Sequence, residues 1–195
     1  MNLQTALFLL PGLVAGLTVH EASHALAAKL LGDGGPERAG RLSLNPLRHL
    51  SLLGTAALFL LGFGWGKPVI INLYNFKRPK LYYLLSSLAG PASNIILSGV
   101  SLGMLYLGIG GVAAFICISV FYINAILATI NLLPIPPLDG SKIWPCVIPR
   151  MRPTSSGTWD RRWLVVLLIL FISGVIDGVI GAVLRFLTGL LPQGI

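Results

Sequence analysis

The chain has 195 residues, 55% of them hydrophobic and only 10% charged. That balance excludes an ordinary soluble domain, whose charged share is about 25%, and leaves an integral membrane protein with room for about four to six spans of roughly twenty residues each. The net charge is +8, but the Lys and Arg fall in short clusters between apolar runs, as in cytoplasmic loops under the positive-inside rule, so no basic, aromatic-interleaved surface is left for nucleic acid.

The first apolar segment, residues 3–31, is expected to be a helix with a kink at Pro11 and Gly12. Lys29 and the run Gly32-Asp33-Gly34-Gly35-Pro36 end it. It reads as a retained anchor rather than a signal peptide, because no basic n-region opens it. Within it stands His20-Glu21-Ala22-Ser23-His24. On a helix, positions i and i+4 lie one above the other, so both imidazoles can reach a single Zn²⁺. Glu21 falls beside them, placed to take a proton from a water that the metal has made acidic. The plain alternative is a soluble helix with two neighbouring surface histidines. The apolar flanks weigh against it, since ionisable groups at membrane depth are costly and mark function.

Residues 32–50 carry Arg38, Arg41 and Arg48 against Asp33 and Glu37 and read as a cytoplasmic loop. The stretch 51–66 is apolar, short and rich in Gly, with basic residues on both flanks. It suits a re-entrant or shallow segment better than a fifth span, since non-helical backbone is tolerated at that depth when packed in protein or lining a wet cavity. Residues 67–75 read as extended chain, followed by Lys77, Arg78 and Lys80. Two spans follow, 81–107 and 112–132, the first carrying Ala89-Gly90-Pro91-Ala92-Ser93-Asn94. Gly90 and Ala92 allow close helix packing. The second span ends in Asn131-Leu132-Leu133-Pro134-Ile135-Pro136-Pro137-Leu138-Asp139-Gly140, where three prolines forbid a regular helix and hold Asp139 on stiff chain. After a basic, proline-broken segment, 141–162, a last helix is expected over 163–188. It contains Asp177 between Gly174 and Gly178, which favour close packing.

A catalytic zinc takes three protein ligands and keeps an open position. Asp139, Asp177 and His49 are the candidates for the third. The helices 81–107 and 112–132 run out and back, so Asp139 shares a side with Lys80. If 51–66 is re-entrant, the first helix ends on that side too, and Asp139 can meet His20 and His24. Asp-Gly is also a favoured turn pair, which is the bland reading of Asp139. His49 fits either an interfacial loop or contact with ligands or substrate. Asn94 and Asn131 suit either interhelical hydrogen bonding or orientation of a substrate carbonyl. Cys117 and Cys146, the only cysteines, lie in unrelated settings and are expected to stay reduced.

With these motifs in hand, the chain resembles the site-2 proteases, a family of intramembrane zinc metalloproteases. The resemblance rests on His20 to His24, Gly40 to His49, Gly62 to Pro68, Ala89 to Asn94 and Asn131 to Gly140, in family order. It is nearest the compact prokaryotic branch without PDZ or CBS domains. It implies one zinc ion on His20, His24 and Asp139 with Glu21 as general base, and an all-α polytopic fold with a three-helix catalytic core plus a C-terminal transmembrane helix. It also implies a multi-pass protein of a prokaryotic cell membrane, with its site toward the cytoplasmic side. The expected partners are the lipid bilayer and transmembrane segments of substrate proteins, cut within or near the membrane, and a homo-oligomer is left open. The whole chain reads as a single membrane domain. The departures are Ser51-Leu52 where relatives often have Asp-Pro, and Ser141 where Gly is frequent. The rival is a non-catalytic membrane protein, a metal carrier or pseudoprotease, using the same zinc site. A carrier needs polar residues spread over several spans, and a pseudoprotease usually lacks a catalytic residue. A zinc hydrolase of lipids is the third reading, against which the extended segment and the prolines favour a peptide substrate.

Overall fold

The computed structural model describes residues 3–52, 54, 66–151, 153 and 161–192. In chain order the helices are α1 (Leu3–Leu31), a one-turn α2 (Gly35–Arg38), α3 (Pro79–Tyr106), α4 (Gly111–Asn131), α5 (Gly140–Val147), α6 (Arg161–Ile172) and α7 (Val175–Thr188), with single 3-10 turns at Pro46–Arg48 and Leu73–Asn75. Among the described residues there is no strand, only an isolated bridge between Leu50 and Gly66. By length and composition α3 and α4 can cross a membrane, and α6 with α7 makes a third crossing if the bent pair counts as one. The protein is an all-α polytopic membrane protein. The 51–66 segment lies almost wholly outside the described residues.

α1, α3 and α4 pack against one another as a three-helix unit. α3 is apolar outside and polar inside. Leu85, Ile95, Ile96, Val100 and Met104 are exposed, whereas Ser86, Ser87, Asn94, Ser98 and Ser101 are buried. In water such an outer face would be an association hazard; in a bilayer it is the lipid contact, and the small polar residues inside let backbones approach and hydrogen-bond. Ser98 Oγ donates to the Phe121 carbonyl at 2.8 Å, tying α3 to α4.

The α1–α4 contact is set by Gly12 and Gly16. A Cβ at Gly12 would lie 2.6 Å from the Ser119 carbonyl, and one at Gly16 would lie 2.8 Å from Asn124 Oδ1. Here α4 supplies hydrogen bonds to the backbone of α1. Pro11 offers no N–H, and the Ser119 hydroxyl stands between Phe8 and Gly12, accepting from the Gly12 N–H at 3.1 Å and donating to the Phe8 carbonyl. This is the site where the sequence suggests a kink, and a side chain from α4 hydrogen-bonds the α1 backbone there.

Residues 67–72 are extended: Val69, Ile71 and Leu73 are buried while Ile70, Asn72 and Tyr74 are exposed, an alternation of period two. The buried set packs with Ala25 and Ala28 of α1, Tyr83 of α3 and Cys146 of α5. Two features differ from expectation. The last helix is not continuous: Gly174, at φ 76°, ends α6, and α7 departs at 63°. Glycine adopts that left-handed conformation without strain, and the residues on either side of the break, Leu167 to Ile172 and Val175-Ile176, are apolar. Nor do Gly174 and Gly178 meet a close neighbour among the described residues, since a Cβ at either would find nothing of them within 4 Å.

Candidate metal centre

α1 carries His20 and His24 on the face that meets α3, and both side chains are buried. Each imidazole is oriented by an oxygen of α3. His20 Nδ1 donates to Asn94 Oδ1 at 2.6 Å, and His24 Nδ1 donates to the Ser86 carbonyl at 2.7 Å. Those oxygens can only accept, so each Nδ1 carries a proton, and it is the neutral ring in this tautomer that presents a lone pair at Nε2. The Nε2 atoms lie 3.1 Å apart, and Asp139 Oδ2 lies 3.0 Å from His20 Nε2 and 2.9 Å from His24 Nε2. With both rings in that form, three electron pairs converge on one point, an arrangement that a cation completes. Tetrahedral zinc with bonds near 2.0–2.1 Å spaces its ligands about 3.3–3.4 Å apart, within a few tenths of an ångström of these separations. The residues fit a zinc ion, and His20, His24 and Asp139 form the one such group among the described residues.

The walls of the centre are built by close backbone approach. A Cβ at Gly90 would lie 2.3 Å from His24 Nε2 and 2.7 Å from His20 Nε2, so only glycine on α3 leaves room for the ion. Asp139 is delivered by the proline-rich turn after α4. The turn folds back so tightly that a Cβ at Gly140 would lie 2.1 Å from the Leu133 carbonyl. Trp144 Nε1, donating to the Leu132 carbonyl at 2.9 Å, pins α5 to that turn.

Glu21 is half-buried beside His20, and its Oε2 accepts from the Val69 N–H at 3.0 Å. One carboxylate oxygen is thus held by the extended segment. Lys142 Nζ donates to Asp139 Oδ1 at 2.8 Å. Burial alone pulls the Lys142 pKa down, but the Asp139 carboxylate more than offsets it, so the pKa is raised and the ammonium stays charged.

Asn94 is fully buried and its amide is fully committed: beyond His20, its Nδ2 donates to the Gly16 carbonyl at 3.2 Å and to Asn124 Oδ1 at 2.7 Å. It orients His20. Asn124, a lone amide in the apolar run of α4, escaped the sequence reading. Asn131 Nδ2 donates to the Leu127 carbonyl one turn back on its own helix, and no hydrogen bond among the described residues brings it to the centre. His49 is buried in the loop, its Nε2 paired with the Ser43 carbonyl at 2.7 Å. Asp177 is exposed in the first turn of α7, where the helix dipole favours an acid. Cys117 and Cys146 are free thiols, and burial pushes the Cys146 thiol up.

The model of peptidase family M50 matches residues 108–175. Among curated proteins, the chain is 36% identical over 179 residues to the provisionally named zinc metalloprotease YwhC of Bacillus subtilis (strain 168), covering 85% of this chain and 80% of that protein. It is 30% identical over 179 residues to the provisionally named zinc metalloprotease Rip2 of Mycolicibacterium smegmatis, covering 84% and 67%. It is 31% identical over 131 residues to the similarly named MJ0611 of Methanocaldococcus jannaschii, covering 66% and 64%. No solved structure matches.

Proposed function

The chain belongs to peptidase family M50, as a membrane-embedded protease of the site-2 type, and on that footing we propose that it hydrolyses peptide bonds within or near the transmembrane segments of membrane proteins. His20, His24 and Asp139 hold one zinc ion, and Glu21 is the general base. The observation that carries this reading is the meeting of two imidazole nitrogens and a carboxylate oxygen inside a three-helix unit, with a second carboxylate alongside.

When bound there, zinc supplies Lewis acidity that acidifies a water and polarises the scissile carbonyl. The chain's own residues do the rest. Asn94 Oδ1 and the Ser86 carbonyl hold both imidazoles in the metal-binding tautomer. The Val69 N–H fixes one oxygen of Glu21. The other takes the proton of the attacking water and returns it to the leaving amine. A substrate helix hides its amides in i to i−4 bonds and must unwind to be cut. The extended 67–72 segment offers such a peptide a partner by β-augmentation.

The whole chain acts as one membrane domain in a prokaryotic cell membrane, with the site near the cytoplasmic surface. His24 and His20 lie seven and eleven residues before Leu31, about 10 and 16 Å along the helix, and Lys29, Arg38, Arg41 and Arg48 cluster at that end. The test is cleavage of single-pass substrates by purified protein in lipid, wild type beside Glu21→Gln, with zinc measured in both. Wild type is expected to cut, and Glu21→Gln to keep its zinc and lose cleavage. Equal cleavage by the two proteins overturns the role of Glu21, and a wild type without zinc overturns the centre.

A further inference from the structure

Asp139 occupies the N-cap position of α5. Aspartate is among the residues that most favour this position, because its carboxylate accepts from the free N–H groups of the first turn. Asp139 makes no such bond; its Oδ2 lies against both imidazoles and its Oδ1 accepts from Lys142. Lys142 is equally misplaced by helix rules. It stands in the first turn of α5, where the positive end of the helix dipole disfavours a cation. The two do not form an ordinary surface pair either: their side chains are 28% and 6% exposed, against 43% and 45% for Lys29 and Glu37.

Helix stability explains neither residue, and each is explained by the other. The geometry points to Lys142 as the positioning residue of the metal centre, holding Asp139 Oδ1 so that the carboxylate turns away from the α5 backbone and presents Oδ2 alone to the ion. This rests on the zinc reading given above. Without the ammonium, the carboxylate is free to rotate toward the α5 N–H groups or to chelate through both oxygens, and either motion moves Oδ2 off the imidazole pair. A mere charge effect has the opposite sign. An ammonium near a divalent cation repels it, so if Lys142 did nothing but carry charge, removing it would tighten zinc binding.

The test is zinc affinity, read by competition with a chromophoric chelator on the purified full-length protein. Zinc bound by wild type and lost in Asp139→Asn establishes the centre; if wild type binds none, the reading of the site fails rather than the role of Lys142. With the centre established, Lys142→Met is expected to bind zinc on the order of 10–100-fold more weakly, the effect of removing a partner that orients a ligand. Lys142→Arg, which keeps the cation and its donors, is expected to recover most of the loss. Lys142→Ala repeats the comparison without burying a new thioether and decides it if the Met variant fails to fold. Affinity equal to or above wild type in a folded Met or Ala variant overturns the role. So does loss of fold in both, because the pair then serves the fold rather than the centre.

Discussion

Two buried aspartates lie at the ends of connecting segments, and their surroundings differ in kind. Asp33 is 0% exposed and Asp139 4%. The oxygens of Asp33 meet donors throughout: the Gly35 N–H at 3.0 Å, the Asn75 side-chain amide at 2.8 Å and the Asn72 N–H at 2.7 Å. It is a satisfied anchor that ties the end of α1 to the segment beyond the extended stretch. Asp139 points one oxygen at two nitrogens whose protons are spent elsewhere. Burial does not separate a structural acid from a metal ligand; the number of protons its neighbours can offer does.

Treating both carboxylates alike is the strongest way to break this comparison. Asp139→Asn is expected to abolish zinc binding and reduce cleavage to background while the fold persists, as zinc content and circular dichroism will show. Next in size is Gly90→Ala. Alanine favours a helix interior over glycine by about 0.5–1 kcal/mol, yet its Cβ would enter the space between the imidazoles. Zinc should be lost, and the metal-free protein should unfold at lower temperature, since overpacking a buried site costs about 1–3 kcal/mol, more than the helix preference returns. Asp33→Ala should act least on the centre. It leaves three donors unmatched, at about 1–3 kcal/mol for each that stays buried, so residues 67–76 should become sensitive to limited proteolysis while zinc stoichiometry stays that of wild type. A folded Asp33→Ala protein without zinc would erase the distinction between the two aspartates.

Much of the architecture was legible because membrane spans are written in composition. The long helices begin and end within two residues of the expected bounds, and the spacing of His20 and His24 is enough to put them on one face. The β-branched run Val69-Ile70-Ile71 after Pro68 suits the extended 67–72 stretch. Other features were hidden for identifiable reasons. Asp33 reads as a turn acid, and only the distant Asn72 and Asn75 make it an anchor. Lys142 counts as one more positive-inside charge until α5 places it over Asp139. Asn124 is one amide in an apolar run, and the break at Gly174 changes no hydropathy. Each of these depends on what folds against it, which spacing along the chain does not carry.

The Ser119 hydroxyl lodged between Phe8 and Gly12 bears on the order of assembly. Lipid offers no substitute donor or acceptor to the backbone of a helix. In the folded protein the Gly12 N–H and the Phe8 carbonyl of α1 are both met by a hydroxyl that lies 107 positions downstream of Gly12. The helix that bears both histidines therefore gains these two partners only once the chain beyond α3 has been made and has packed against it.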